Sequence, residues 1–539
     1  MTWDRVRAAR NRLAGESGTI VKDWGGKLPV ALIYPNSYYL GMSNLGIHAI
    51  YSLLNRLSDT VCERVFWEAA DKIGPLSPVS IESQRELSDF AILAFSITYE
   101  LDYFNVPQIL AAAGIPLYSS ERNETHPLII AGGACITANP MPVSRFFDAL
   151  CIGEAEAIMP QLLAAVSGVG VGDREGQLSA IARKPGVFSP GRTSKVSRQW
   201  AKDLDDFPVH SVVTTRDTEL GDLYLIEVER GCRWRCRFCL VCGIFRPMRP
   251  RSLESLMDQA SAGLKIRRRL GLVGPDVPDH PLFEEILGRL KAMGADISVS
   301  SLRIKPLFDL ALSELARGGT GSVAFAPEAG SERLRQVIRK GVYEDYILKA
   351  VEFTSRHKIR QLRLYFMIGL PTETDDDVVA ISDLSLKCKA ILEKRQSTTR
   401  ITLSISPFVP KAGTPFEWLR MEQVNVLEGR IAMLKRTLEP NGIKVGGESP
   451  AWSEVQAMLA RGDSNMAPVL AGVKHLSLAA WTSALDKARL DRSFVHQDWN
   501  PDSSLPWDMI DSGISQDNLR DELRLAISQP AGHDGSSSR

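Results

Sequence analysis

Four of the eight cysteines in this 539-residue sequence fall within eleven residues, at Cys232, Cys236, Cys239 and Cys242. Eight cysteines over such a length are too few for a disulfide framework, so their crowding points to metal chemistry. Three soft thiolates spaced C-x3-C-x2-C on one glycine-led loop can wrap one corner of an iron-sulfur cubane and leave its fourth iron without a protein ligand. An open iron can bind substrate. Cys242 adds a fourth thiol, which keeps a structural zinc site and a fully ligated electron-carrier cluster as alternatives. Zinc sites usually pair two close ligands with two distant ones, and eleven residues leave little room for a tetrahedral cage. Cys242 is therefore expected to be a bystander. Cys62, Cys135, Cys151 and Cys388 stand alone in apolar segments and read as core residues.

The elements around the cysteines follow from hydrophobic periodicity. From residue 222 onward, strand and helix patterns alternate six times, with strands expected at Asp222 to Val228, Leu270 to Val273, Ile297 to Leu302, Ser322 to Phe325, Gln361 to Ile368 and Ile401 to Ser406. Six units suit a partial, curved barrel whose working face lies at the strand carboxyl ends, and the cysteines follow the first strand there. Residues 28–166 show an earlier alternation, with strands at Pro29 to Tyr34, Val61 to Trp67, Phe90 to Ser96, Pro127 to Ile130 and Ala149 to Ile152, which predicts a doubly wound parallel sheet. The expected class is α/β: a Rossmann-like domain over 28–166, a barrel core over 206–440 and a mainly helical C-terminal cap over 441–525. A helix is expected in 1–27, a linker in the Gly- and Ser-rich 167–205, and a disordered tail in 526–539.

Composition sets limits. The chain is 44% hydrophobic and 24% charged, and 64 basic residues balance 64 acidic ones. No global field draws it to nucleic acid or an anionic membrane, although a local basic groove leaves a nucleic-acid substrate open. Its longest apolar stretches fall short of the roughly 18 residues of a membrane helix. The first eighteen residues hold four arginines and no apolar core, so a secretory signal is not expected and the cytoplasm is the expected location.

In the segment ERGCRWRCRFCLVCGIF, Cys232-x3-Cys236-x-Phe238-Cys239 resembles the motif of the radical S-adenosylmethionine superfamily, aromatic residue included. The resemblance implies a 4Fe-4S cluster held by Cys232, Cys236 and Cys239. Its open iron would chelate S-adenosylmethionine, which an electron cleaves to a 5'-deoxyadenosyl radical; the electron would come from a donor such as a flavodoxin or ferredoxin. After the second strand, GLVGP stands where the superfamily usually has a Gly-Gly-Glu segment holding the methionine amino group, so only a backbone contact near Gly274 carries over. FAPEAGSERLR and LRLYFMIGLPTET resemble the core shared with methylthiotransferases. They make Glu328 and Ser331 candidates for ribose or carboxylate contacts, and Met367, Ile368 and Gly369 candidates for backbone contacts to adenine. SISPFVPKAGTPFEW resembles the segment that closes the adenine pocket. As plain chemistry, Glu328 can instead cap a helix or pair with Arg333, and Gly369-Leu370-Pro371 can be only a turn. Arg246, Arg249 and Arg251 can steer an anionic partner, but a solvated face is the simpler reading.

The earlier segments LPVALIYPNSYYLGMSNLGIHAIYSLLN, AFSITYE, LIIAGGACI and CIGEAEAIMPQLL resemble the cobalamin-binding domain that precedes many radical cores. The resemblance implies a cobalamin site near Asn36, Ser96, Gly132, Gly133 and Glu154. Relatives that bind cobalamin through histidine carry Asp-x-His-x-x-Gly after the first strand, whereas this chain reads Asn36-Ser37-Tyr38-Tyr39-Leu40-Gly41. His48 falls inside the next helix and reads as a structural residue. The tail SLPWDMIDSGIS resembles the end of a broad bacterial family of radical proteins with unassigned substrates. Together these features imply a radical enzyme acting on an unknown substrate, with cobalamin-dependent methylation as the leading reaction. A methylthiotransferase-like or tRNA-modifying enzyme and an iron-sulfur electron carrier or sensor are the rivals; the first lacks a second set of three clustered cysteines, and the last needs Cys242 as a ligand.

Overall fold

The computed structural model describes residues 3–68, 77–170, 172–221, 223–299, 304, 313, 321–357 and 359–528. The chain forms two compact units, one from Met1–Glu227, Met458–Arg492 and Ser504–Gly513, the other from Val228–Ala457, Ser493–Ser503 and Ile514–Arg539. Among the described residues, no helix is long and apolar enough to cross a membrane.

In the first unit, strands β1 (Leu28–Tyr34), β2 (Thr60–Phe66), β3 (Ile92–Ser96), β4 (Leu128–Gly132), β5 (Ala149–Cys151) and β6 (Val187–Phe188) form one sheet in the order β2-β1-β3-β4-β5-β6. The pairs from β2 to β5 are parallel, and β6 joins antiparallel. The continuous apolar runs of β1 and β3 are what a sheet covered on both faces requires. Strand β2 is buried along its whole length although it carries Glu63 and Arg64. Both side chains have polar partners: Trp24 and Ser83 donate to Glu63, while Arg64 bridges Glu16 at 2.6 Å and Glu82 at 2.7 Å.

Two expectations about boundaries give way here. Residues 167–205 are not a linker: they contain a helix at Arg174–Ala182 and strand β6, with Ile181 and Val187 in the first unit's core. Their Gly and Ser content hid one short helix and two two-residue strands, Val187–Phe188 and Val196–Ser197, all too brief for periodicity to show. Residues 441–525 do not make a separate helical domain either. The helix at Leu478–Ala488 belongs to the first unit, where Trp481 packs edge-on against Phe104, and the one at Gln516–Ile527 belongs to the second. The expected strand before the cysteines is β7 (Tyr224–Glu227), the last segment of the first unit's longest stretch.

The second unit opens on the short antiparallel pair β8 (Glu229–Arg230) and β9 (Arg249–Pro250), which brackets the cysteines. Strands β10 (Arg269–Val273) and β11 (Asp296–Val299) pair in parallel; the rest of the expected third strand, Ser300 to Leu302, lies outside the described residues. A second parallel sheet runs β12 (Ser322–Glu328), β13 (Gln361–Ile368), β14 (Arg400–Pro407) and β15 (Lys444–Gly447). The last strand extends the array past residue 440, where the barrel core was expected to end. Alternate residues of β13 and β14 are buried, which leaves Tyr365, Met367, Ser404 and Ser406 together on a partly open face.

The Arg64 site supplies a stability test. Arg64→Ala leaves two buried carboxylates without a counter-ion, a change that costs about 3–5 kcal/mol. A urea titration of the intact chain should show the transition of the first unit moved to lower denaturant, and adding Glu16→Gln and Glu82→Gln should recover most of the loss.

Candidate active site

The cysteine loop is held at both ends. Gly231, at φ +83°, leads out of β8, and a Cβ there would lie 2.3 Å from the Phe245 carbonyl oxygen, so only glycine fits. Two turns follow, with Cys239 N–H donating to Cys236 O at 3.1 Å and Cys242 N–H to Cys239 O at 3.2 Å. Gly243 then packs so closely that a Cβ would lie 2.7 Å from the Gly413 carbonyl oxygen.

Arg237, between the second and third cysteines, ties the loop to two helices. Its backbone N–H donates to Ile338 O at 3.1 Å and its guanidinium to Val337 O at 2.8 Å, at the end of the helix Glu332–Val337. The same guanidinium donates to Glu522 at 3.0 Å, on the helix Gln516–Ile527, and Glu522 also pairs with Arg339. Neither Arg237 nor Glu522 stood out in the sequence; the only signal was that Arg237 lies inside the motif.

Cys236, Cys239 and Cys242 line a cavity of about 240 Å³ with Arg235, Arg246 and Glu522. The Cys242 thiol is within hydrogen-bonding reach of Cys232 and Cys239. That contact lowers the Cys232 pKa and brings Cys239 down to about 7, while raising that of Cys242 itself. Burial pushes Cys236 up to about 12. Two easily ionised thiols beside a cavity, on a loop with fixed ends, suit a cluster that takes thiolates. Among the described residues, no three His, Cys, Asp or Glu side chains gather tightly enough for a single metal ion. Cys242, expected to be a bystander, thus stands against two of the three thiols assigned to the cluster.

The other expected residues fall into two groups. Phe238 is half-buried within the loop and Gly274 sits below the Glu229 side chain. Glu328 ends β12 after a bulge, at φ +69°, and pairs with Lys340 at 2.9 Å; both charges act on Cys236. Its partner is Lys340 and not Arg333, which pairs with Asp377. Ser331 is committed elsewhere: its hydroxyl caps Leu334 N–H and donates to Asp377. The Gly369 N–H donates to Glu373 at 2.5 Å and the Ile368 carbonyl accepts from Phe408 N–H at 2.9 Å, so these two of the backbone groups expected for adenine have protein partners. Of that trio, the Met367 side chain lies on the partly open face.

In the first unit, Asn36 lines a cavity of about 270 Å³ with Tyr34, Ser43, Tyr99 and Asp102, beyond the carboxyl ends of β1 and β3. The strand order reverses between these two strands, the place where open sheets of this kind bind ligands. Asn36 donates to Asp102 at 2.8 Å, and burial raises the Asp102 pKa to about 6. The other residues expected near cobalamin do not line this cavity. Gly133, at φ +115°, is fixed by the Ile97 carbonyl oxygen, 2.2 Å from where its Cβ would be, and Gly132 packs against Cys151. Ser96 is buried at the end of β3, and Glu154 accepts from Ala201 N–H at 3.0 Å. Tight packing accounts for these small residues. His48 is satisfied inside the core, and burial lowers its pKa to about 4.

Residues 226–385 match the model of the radical SAM superfamily, and residues 46–190 match that of radical SAM proteins, N-terminal. The uncharacterized protein MJ0966 of Methanocaldococcus jannaschii is 32% identical over 86% of this chain and 94% of its own length. The chain belongs to the radical SAM superfamily. A second relative, the uncharacterized methyltransferase PH0819 of Pyrococcus horikoshii, is 24% identical over 47% of this chain and 56% of its own. The fold is similar to that of OxsB, described as a cobalamin-dependent S-adenosylmethionine radical enzyme, with a TM-score of 0.51 at 12% identity over 93% of this chain and 79% of that one. Superfamily membership implies S-adenosylmethionine and a 4Fe-4S cluster, and the thiol loop has the donor set to hold the latter.

The loop's anchoring is testable without substrate. Glu522→Ala should leave the folded helix content intact yet speed loss of iron to a chelator several-fold from anaerobically reconstituted protein, and Arg237→Ala should do so more strongly. Equal rates for all three proteins would show that the clasp does not hold the loop.

Proposed function

We propose that this radical SAM enzyme modifies an unactivated carbon of its substrate by methyl transfer, with cobalamin held by the first unit as methyl carrier. The observation that carries the radical half is the loop of Cys232, Cys236 and Cys239, fixed at both ends beside a cavity. When bound, the cluster and S-adenosylmethionine supply one-electron cleavage and a hydrogen-abstracting radical. The chain's own part is to hold the thiols in place, to keep Glu328 and Lys340 beside Cys236, and to offer substrate the partly open face around Tyr365, Met367 and Ser404. The electron would come from a small donor protein such as a flavodoxin or ferredoxin.

The methyl-transfer half is supported by the cavity at the β1/β3 reversal, by the fold likeness to OxsB and by the sequence likeness to a methyltransferase. The segment Asn36–Gly41 just after β1 holds no histidine, so cobalamin would be gripped by burial and by polar groups such as Asn36, without an imidazole from this segment. A second reading, an electron carrier with a closed cluster, is favoured by the contact of Cys242 with Cys232 and Cys239.

Anaerobically reconstituted protein with strong reductant should release 5'-deoxyadenosine from S-adenosylmethionine. Cys236→Ala should lose both cluster and cleavage, whereas Cys242→Ala should keep both; loss of the cluster in the latter would favour the electron carrier. For the first unit, hydroxocobalamin should remain bound one-to-one through desalting and be weakened by Asn36→Leu. Absence of retention would leave a radical enzyme whose first unit does something else.

A further inference from the structure

Arg363, Arg400 and Lys444 gather on one face of the second unit's four-stranded sheet. In a parallel sheet, registered partners point to the same side, and residues two apart along a strand share it. Arg363 on β13 is registered with Thr402 on β14, and Thr402 with Lys444 on β15. Arg400 lies two residues before Thr402 and is registered with Gln361. The apolar residues between them, Leu362, Leu364, Ile401 and Leu403, are buried on the opposite side. The three cations are exposed and thus share the partly open face with Tyr365, Met367, Ser404 and Ser406.

The strands supply no counter-charge. Their single acid, Glu328, ends β12 and is paired with Lys340. Among the described residues, no carboxylate pairs with Arg363, Arg400 or Lys444, whereas Arg333, Lys387 and Arg395 of the same unit all have carboxylate partners. Like charges brought close across neighbouring strands repel, so their concentration on one face calls for an anion. Thr402 marks where it would sit. Its hydroxyl oxygen accepts from Gln361 Nε2 at 3.1 Å, which leaves its own proton to donate. Arg363 and Lys444 flank it from the two adjoining strands, each about 4.8 Å away in backbone position, and Arg400 lies about 6.6 Å down its own strand. Side chains of that length can converge on one group above the hydroxyl, and every atom they bring is a donor.

We propose that Arg363, Arg400, Lys444 and Thr402 bind a phosphate group of the substrate, which makes the substrate a small phosphorylated molecule whose reacting carbon lies toward Tyr365 and Met367. This rests on the reading of the partly open face as the place of the substrate. A phosphate monoester carries close to two negative charges on acceptor oxygens, and it meets here two guanidinium groups, an ammonium and a hydroxyl. A carboxylate, with one charge, leaves two of the cations unmatched. A nucleic-acid strand is matched by cations spread along a groove, whereas these converge on one hydroxyl. From Thr402 to Ser406 the strand rises about 13 Å, which sets the span between the phosphate and the strand carboxyl ends where the cysteine loop's chemistry is expected.

The test is equilibrium dialysis of radiolabelled inorganic phosphate against the anaerobically reconstituted full chain at low ionic strength, where exposed charges are least screened. Wild type should bind phosphate one-to-one, and Arg363→Gln and Arg400→Gln should each weaken it about fivefold or more, as expected when a charge-assisted contact is lost. Both positions are exposed, so the variants should keep the circular dichroism of wild type. Arg395→Gln, which removes a cation paired with Glu352 elsewhere in the unit, should bind phosphate as wild type does. Acetate should compete about tenfold less well than phosphate. Affinity in the Arg363→Gln/Arg400→Gln double variant within about twofold of wild type, or no binding by wild type, would overturn the assignment. Displacement of phosphate by a single-stranded RNA oligonucleotide, at concentrations where glycerol phosphate fails, would overturn the small-molecule class in favour of nucleic acid. Release of 5'-deoxyadenosine by the same preparation reports the radical reading separately: its absence with phosphate binding intact would sink that reading and leave the anion site in place.

Discussion

The chemistry assigned to this chain depends on keeping three thiols of one short loop in fixed positions while leaving part of the cluster they would hold uncovered. Arg237 is the group that meets this constraint. It sits between Cys236 and Cys239, is buried, and bonds to helix-end carbonyls on one side and to Glu522 on the other. A planar guanidinium with five donors can make these contacts at once, which a lysine at the same place cannot. The backbone contributes two further restraints, the left-handed Gly231 against Phe245 and the close approach of Gly243 to Gly413. A loop so tied does not need a fourth cysteine to stay folded.

The charges around the loop are arranged asymmetrically. Lys340 and Glu328 stand by Cys236, while Glu229, Asp276 and Asp279 gather on the side of Cys232. A cation placed on the acidic side is favoured and one on the other side meets Lys340, so orientation of a zwitterionic ligand can follow from electrostatics alone. Glu328 holds a left-handed backbone conformation that non-glycine residues rarely adopt, a strain consistent with a residue placed for a site.

Much of this was readable in the sequence because parallel sheets write themselves as apolar runs. Strands β1 to β5 and β10 to β14 fall within one to three residues of the runs that announced them, with the described part of β11 included, and the cysteine spacing by itself led to the loop. What stayed hidden has physical causes. Glu522 lies 285 residues from Arg237, and nothing local marks such a pair. Glu229 reads as one more charge in a charged segment until its burial is seen. Gly133 looked like a ligand-facing glycine, but its conformation is demanded by the Ile97 backbone. The cap expected over 441–525 fails because its helices have their apolar faces on two different units, a fact that no single helix pattern reveals.

If Cys232, Cys236 and Cys239 suffice as ligands, one iron is left for S-adenosylmethionine. Mössbauer spectroscopy of the anaerobically reconstituted chain, recorded with and without S-adenosylmethionine, tests it most directly. One iron of the 4Fe-4S cluster should change its signature on addition of S-adenosylmethionine, in wild type and in Cys242→Ala alike. A cluster whose irons are all indifferent to S-adenosylmethionine, and that is lost in Cys242→Ala, would contradict it.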